Sequence, residues 1–294
     1  MTNRIGFIGL GNMGRPMAAN LLRRLGGLIV HDLRPTAADE LRTAGATWAG
    51  DIEALARQVE VVVTSLPGPQ EIQRVAYGEA GLLSSLTPGS LWVDTSTNDP
   101  ALARNMASEA AKRGSAFVDA PVTGGVIGAR SATLKIMAGG EEADVARARA
   151  VLSAMASSVI HTGPAGTGSA MKLIVNFLGI AHTALAAEAL ALGRAGGLSA
   201  DLMLSVLEGC WGDNAMLSDL VRTAGGERHW GFALDLAIKD MVLAATLAKS
   251  LGFPIRYGEV TREVLDACGR SAPASSDLWR LVEDRERDAK VSIL

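Results

Sequence analysis

The alternation of apolar and polar positions changes character a little past the middle of this 294-residue chain. Up to about residue 163, short runs that are apolar at nearly every position alternate with stretches where apolar residues recur every three or four places. The runs at 4–9, 28–32, 61–67, 91–97, 115–121, 133–140 and 158–163 predict strands. Continuous apolar character of that length belongs to strands buried on both faces of a parallel sheet. M-A-A-N-L-L-R-R-L after residue 16, a stretch opening near Pro100, and E-E-A-D-V-A-R-A-R-A-V-L predict helices between them. From Gly166 the strand pattern stops. The segment from Gly166 to Gly197 opens on Gly, Thr and Ser and closes on paired glycines, which predicts one long helix. Further helices are predicted at 199–209, 213–224, 234–251, 254–269 and 276–284. The tail E-D-R-E-R-D-A-K reads as a solvated charged face.

The long segment has the length of a membrane span. Lys172, Asn176, His182 and Glu188 interrupt it, and it has neither basic flanks nor an aromatic belt, so it is read as a helix buried in a soluble protein. Lys172 and Asn176 are four residues apart and share a face. An ammonium and an amide on an apolar helix admit two readings: a lysine that snorkels to the surface beside a satisfied amide, or a pair placed there for chemistry.

The first strand runs into Gly9-Leu10-Gly11-Asn12-Met13-Gly14, a G-x-G-x-x-G that opens a helix, and the second strand closes on Asp32. Strand, glycine turn, helix, strand and acid, with the acid about twenty residues on, is the order that dinucleotide binding requires. The first glycine allows the tight turn, the second lets backbone approach a pyrophosphate, and the third allows close helix–strand packing. The expected architecture is therefore α/β: a Rossmann-type dinucleotide-binding domain over 1–163, the long helix, and an all-helical domain over 164–294. Asp32 suits a ribose 2′-hydroxyl and repels a 2′-phosphate, which favours NAD. Arg34 could contact a phosphate or stack on adenine, so NADP stays open. Leu66, Pro67, Ser96 and Thr97 follow strand ends that face the ligand crevice of such a sheet, although each is also an ordinary turn residue.

Composition narrows the remaining classes. Hydrophobic residues make up 48 % and charged residues 20 %, as in ordinary globular proteins. The net charge of −3 and the scattered basic residues give no footprint for nucleic acid. The N-terminus enters a strand pattern at once with no apolar signal core, and Cys210 and Cys268 lie far apart. Both are read as free thiols, and a reducing cytoplasm is the expected location. The four histidines form no ligand cluster, so no metal is expected. Two stretches remain. Thr123-Gly124-Gly125, in D-A-P-V-T-G-G-V-I-G-A-R, offers a hydroxyl beside glycine amides that can bind a carboxylate; a flexible turn has the same composition. Lys239-Asp240 sits mid-helix, where a surface charge pair is the default.

Five stretches in order, F-I-G-L-G-N-M-G, V-D-T-S-T-N-D-P, D-A-P-V-T-G-G-V-I-G-A, G-T-G-S-A-M-K-L-I-V-N and I-K-D-M-V-L-A, resemble the motifs of the β-hydroxyacid dehydrogenase family. That family includes 3-hydroxyisobutyrate dehydrogenase, tartronate semialdehyde reductase and the 6-phosphogluconate dehydrogenases, and the likeness covers essentially the whole chain. It implies an NAD(P)-dependent dehydrogenase that interconverts a small 3-hydroxy acid and its semialdehyde. Lys172 is then the catalytic lysine, Asn176 helps hold the substrate hydroxyl, and Thr123, Gly124 and Gly125 grip the carboxylate. Lys239 matches a lysine near the nicotinamide. A dimer or tetramer is implied as well. Two departures are Thr123, where many members have Ser, and Ala132, where many have Gly; both are small changes. Imine reductases of similar architecture usually lack the lysine, and the phosphate-binding basic cluster of 6-phosphogluconate dehydrogenases is not found. Reduction of another semialdehyde or an imine, or a non-catalytic nucleotide-binding module, are the competing readings. Trp211, Phe232 and the loop near Met216 are expected at the side-chain pocket; the substrate itself is not legible.

Overall fold

The computed structural model describes residues 4–293 except 79, 225, 227, 274 and 275; residues 1–3 and 294 of the expected domain ranges fall outside it. The chain forms two compact units, Met1–Lys172 and Leu173–Leu294.

Among the described residues the first unit is built on nine strands: β1 (Ile5–Ile8), β2 (Leu28–His31), β3 (Thr47–Trp48), β4 (Val61–Thr64), β5 (Leu91–Asp94), β6 (Ala116–Asp119), β7 (Val122–Thr123), β8 (Leu134–Gly139) and β9 (Ala156–Gly163). Their order is β3-β2-β1-β4-β5-β6-β8-β7, with β9 also on β8. Pairing is parallel from β3 through to β6 and antiparallel where β8 meets β6 and β7. The order 3-2-1-4-5-6 places a topological switch between β1 and β4, where ligands bind outside the carboxyl ends of the strands.

The unbroken apolar runs follow from this burial. Ile5, Phe7, Val61, Val63, Leu91 and Val93 enter one core, while Ile8, Val62 and Trp92 enter the other. Alternate residues of a strand point to opposite faces, so a sheet covered on both sides must be apolar at every position. The helices of this unit are α1 (Gly14–Leu25), α2 (Asp39–Thr43), α3 (Ile52–Ala56), α4 (Pro69–Tyr77), α5 (Leu82–Ser85), α6 (Pro100–Lys112), α7 (Gly125–Ser131) and α8 (Glu142–Ser153). The strands β3 and β7 were not predicted, because two residues are too few to display a period.

The long helix α9 (Thr167–Ala195) starts in the first unit and continues into the second. Its start is held by Asp119, at the end of β6. One carboxylate oxygen accepts from the Gly166 N–H (2.8 Å) and the other from the Ser169 N–H (2.6 Å). The first N–H groups of a helix have no partner within it, and here an acid from a strand some fifty residues earlier supplies the acceptor. Gly168 makes the approach possible: a Cβ there would lie 2.4 Å from the Met137 carbonyl and 2.6 Å from that of Asp119.

The second unit adds α10 (Ala200–Leu207), α11 (Ala215–Ala224), α12 (Leu234–Ser250), α13 (Arg256–Ser271) and α14 (Arg280–Ala289). Their core includes Ile180, Leu190, Leu220, Met241, Leu265 and Trp279. Three expectations are corrected. The last helix begins at Arg280 rather than 276, because Asp277 accepts from the N–H groups of Trp230, Phe232 and Trp279 and so ties the incoming segment to the approach to α12. The charged tail is not solvated throughout: Asp284 is buried and pairs with Arg280 and Arg287, and burial of the Cys268 thiol, with Asp284 beside it, pushes that thiol up to about 12. Nor is α9 buried all round. Leu173, Ile180, Ala187 and Leu190 face inward, whereas Met171, Leu178, Leu185 and Leu192, seven residues apart, are exposed.

Burial pushes the Asp119 carboxyl up from 3.8 to about 6, against the two backbone N–H bonds, which favour its charged form. Between those values the folded chain holds a proton that the unfolded chain has lost. The stabilisation is complete below about pH 4 and disappears as the pH rises through about 6, a change of about 3 kcal/mol. Between pH 4 and pH 7 the unfolding free energy of the wild type should therefore fall by about 2 kcal/mol more than that of Asp119→Asn, read from urea denaturation. Equal slopes for the two proteins would remove Asp119 as the titrating group.

Candidate active site

At the carboxyl ends of β1 and β2, Gly9 takes a left-handed φ of 94° and donates its N–H to the His31 carbonyl. A Cβ at Gly9 would lie 2.3 Å from the Ser65 carbonyl, and one at Gly14 would lie 1.9 Å from the Gly9 carbonyl. These two glycines are required by the protein's own packing. Gly11 differs: a Cβ there would meet nothing within 4 Å. The protein leaves that space open, as backbone approach to a pyrophosphate requires. Helix α1 starts at Gly14 with no side-chain cap, so its N-terminal end lies beside the same opening. Asn12 is exposed and Met13 half-buried beside it.

Asp32 follows β2 directly. Its two oxygens accept from the Leu10 N–H (2.7 Å) and the Arg34 N–H (2.8 Å), so the acid fixes the glycine loop as well as its own turn. The Arg34 guanidinium, largely exposed, lies 3.8 Å from the same carboxylate. At the ends of β4 and β5, Ser96 is buried. Its hydroxyl donates to Asp94 (2.6 Å) and accepts from the Leu66 N–H (2.9 Å), which holds the turn carrying Leu66 and Pro67. Asp94 also accepts from the Thr64 hydroxyl, which in turn accepts from the Trp92 indole N–H. Burial pushes the Asp94 carboxyl above its ordinary range, and the bonds from Ser96, Thr64 and Asn98 oppose that shift. Thr97 is half-buried just beyond.

Thr123 ends β7, opposite Lys135 of β8, and Gly124 and Gly125, both with positive φ, turn the chain into α7. The two exposed glycines leave backbone N–H groups without side-chain cover. Asn20, buried on α1, donates its amide to the Ala129 carbonyl (2.7 Å) of α7, so the helix behind the glycine loop carries the helix behind Thr123.

Lys172 and Asn176 are both half-buried on α9. In the second unit the Asn176 amide donates to Asp240 on α12, and Lys239 lies 2.7 Å from the other oxygen of that carboxylate. Asp240 is only 3 % exposed. The expected surface charge pair is therefore a buried acid joining two of the candidate residues. Phe232 and Met216 are half-buried, whereas Trp211 is fully exposed. Asp94, Asp119 and Asp277 were not singled out in the sequence, and Asp240 only as half of a surface charge pair. The first two were visible there as acids at strand ends; the others carry no local signal.

Residues 4–163 match the model of the NAD binding domain of 6-phosphogluconate dehydrogenase. Residues 166–283 match the model described as the NAD-binding domain of NADP-dependent 3-hydroxyisobutyrate dehydrogenase. The chain belongs to the β-hydroxyacid dehydrogenase family. It is 35 % identical to the human mitochondrial 3-hydroxyisobutyrate dehydrogenase over 96 % of this chain and 87 % of that protein. The NAD-dependent L-serine dehydrogenase of Pseudomonas aeruginosa is 36 % identical over 84 % of this chain and 86 % of that one. The solved Mycobacterium tuberculosis 3-hydroxyisobutyrate dehydrogenase with L-serine superposes with a TM-score of 0.88 at 32 % identity, covering 97 % and 99 % of the two chains. As a β-hydroxyacid dehydrogenase, the chain is an oxidoreductase acting on a CH–OH group with NAD or NADP.

The different reasons for the three glycines can be separated by substitution. Gly14→Ala should lower stability by about 1–3 kcal/mol through overpacking. Gly11→Val should leave the melting temperature close to wild type while weakening NADH binding about tenfold or more. Thermal denaturation and fluorescence titration of NADH measure the two effects, and a Gly11→Val protein that binds NADH normally would contradict the assignment.

Proposed function

We propose that the protein oxidises a small 3-hydroxy acid, of the 3-hydroxyisobutyrate, L-serine or glycerate type, to its semialdehyde, or catalyses the reverse. The observation that carries this reading is the placement of Lys172 and Asn176 one turn apart on α9, just after the helix start that Asp119 holds. The two relatives named for 3-hydroxyisobutyrate and L-serine act on acids with a carboxylate and a hydroxyl on the next carbon but one. A pair of binding groups for just those functions is supported by the Thr123-Gly124-Gly125 loop and the α9 pair.

In this mechanism Thr123, Gly124 and Gly125 bind the carboxylate through a hydroxyl and backbone N–H groups. Asn176 orients the C3 hydroxyl, and Lys172 takes its proton as C3 is oxidised, or returns it on reduction. The bound dinucleotide supplies the hydride acceptor or donor. Gly9, Leu10, Gly11, Asn12, Met13 and Gly14 cradle its pyrophosphate. Leu66, Pro67 and Thr97 line the same edge, Ser96 holds that turn from beneath, and Lys239 matches the lysine that the family uses near the nicotinamide. Asp32 accepts from the ribose 2′-hydroxyl with the capacity left on a carboxylate that already takes two backbone N–H bonds, which favours NAD. A second copy of the chain covers the exposed stripe of Met171, Leu178, Leu185 and Leu192, an apolar seam at heptad spacing.

Initial rates on a panel of small 3-hydroxy acids with NAD and with NADP test the substrate class and the Asp32 reading. Lys172→Ala should lower kcat about 10²- to 10⁴-fold while NADH binding persists. A variant that keeps most of its activity would remove Lys172 from the chemistry, and faster turnover with NADP would show that Arg34 outweighs Asp32. Leu185 is 67 % and Leu192 74 % exposed, so Leu185→Glu with Leu192→Glu should leave the helix content unchanged and shift gel-filtration elution to the monomer. A wild type that already elutes as a monomer would exclude the paired arrangement.

A further inference from the structure

We infer that Asp240 is a positioning residue whose buried carboxylate sets the orientation of the Asn176 amide, with Lys239 as its counter-charge. The inference rests on the proposed role of Asn176 at the substrate hydroxyl and extends it to a residue on another helix.

The geometry is specific. Asp240 lies on α12 and is 3 % exposed; one oxygen accepts from Asn176 Nδ2 and the other lies 2.7 Å from Lys239 Nζ. A side-chain amide has a donating end and an accepting end of nearly equal size, so packing alone does not choose between its two orientations. A carboxylate can only accept, and it therefore forces the NH₂ end toward itself and the carbonyl end away. The helix supplies the other constraint. Asn176 is one turn beyond Lys172, so a rotation of its amide exchanges a donor for an acceptor on the face that the lysine also occupies.

Lys239 explains why the acid is tolerated there. A lone buried carboxylate is costly, and an ammonium within hydrogen-bond distance on the preceding residue offsets the cost. Asp240 thus accepts from Asn176 of α9 with one oxygen and is ion-paired through the other with Lys239 of its own helix. Replacing the acid by Asn keeps the size and removes the instruction: an amide at 240 can either accept from Asn176 or donate to it, so the constraint that the carboxylate places on the Asn176 amide is lifted.

A double-mutant cycle with a spectroscopic readout tests this. Asp240→Asn should reduce kcat for the best 3-hydroxy acid about 10- to 100-fold, the range seen when a partner that orients an active group is removed. In an Asn176→Ala background the same change should cost less than about threefold, because the residue it acts through is gone. A purely structural role predicts the same loss in both backgrounds, and that outcome would overturn the inference. Side-chain amide resonances of the substrate-free protein give an answer that needs no turnover. The Asn176 pair, assigned by its disappearance in Asn176→Ala, should have its two protons widely separated in the wild type and drawn together in Asp240→Asn. An unchanged pair would also overturn the inference. If the wild type turns over no 3-hydroxy acid while the amide pair responds as expected, the proposed substrate class fails and the hold of Asp240 on Asn176 stands.

Discussion

The hydrogen bonds from the first backbone N–H groups of α9 to Asp119 are the constraint on which the candidate site depends. They fix where the helix starts, and therefore which residues lie on which face. A helix turns by about 100° per residue, so a start displaced by one residue would carry Lys172 away from its present direction. Gly168 allows the helix to approach the strand carbonyls closely enough for these bonds to form. Burial raises the affinity of the Asp119 carboxyl for a proton, so the anchor is kept at a cost in stability near neutrality. A fold selected for stability alone could cap that helix with a solvent-exposed Ser or Thr. Here the acceptor comes instead from the end of a sheet strand, and the helix register is tied to the sheet that carries the rest of the first unit.

Much of this organisation was legible in the chain. Runs such as Val61-Val62-Val63 announce a strand buried on both faces because no other common environment accepts three β-branched residues in a row with neither polar face nor helical period. The glycines of the first turn were legible because their spacing is set by local backbone geometry, which sequence neighbours determine. Asp32 was legible for the same reason, at the end of the next strand. Its hold on the Leu10 N–H was not, because that bond depends on β1 and β2 lying side by side.

What escaped the sequence was determined by distant contacts. Lys239 and Asp240 look like a surface pair, since adjacent charged residues on a helix are commonest in solvent. Asp240 is buried, and its partner Asn176 comes from α9, sixty-four positions away along the chain. Asp277 likewise orders the approach to α12 from more than forty residues away. The exposed stripe on α9 was hidden for a different reason. Apolar residues that face another molecule and apolar residues that face the protein's own core have the same composition, so a helix rich in both reads as buried throughout.

The distribution of partners around the dinucleotide edge carries the functional argument one step further. Asp32 ties β2 to the glycine loop, Ser96 ties β5 to the turn after β4, and Asp94 joins Ser96 to Thr64 and Trp92. All but the Ser96–Asp94 bond link neighbouring strands, so the shape of the edge is set during folding and little ordering is left for binding. Within this edge, Gly11 differs from Gly9 and Gly14 in having open space where its Cβ would lie, and α1 starts beside it. The opening that Gly11 leaves at the carboxyl ends of β1 and β2 suits a ligand with its own acceptors. A pyrophosphate meets that description: it brings oxygens that accept from N–H groups and negative charge that suits a helix N-terminus.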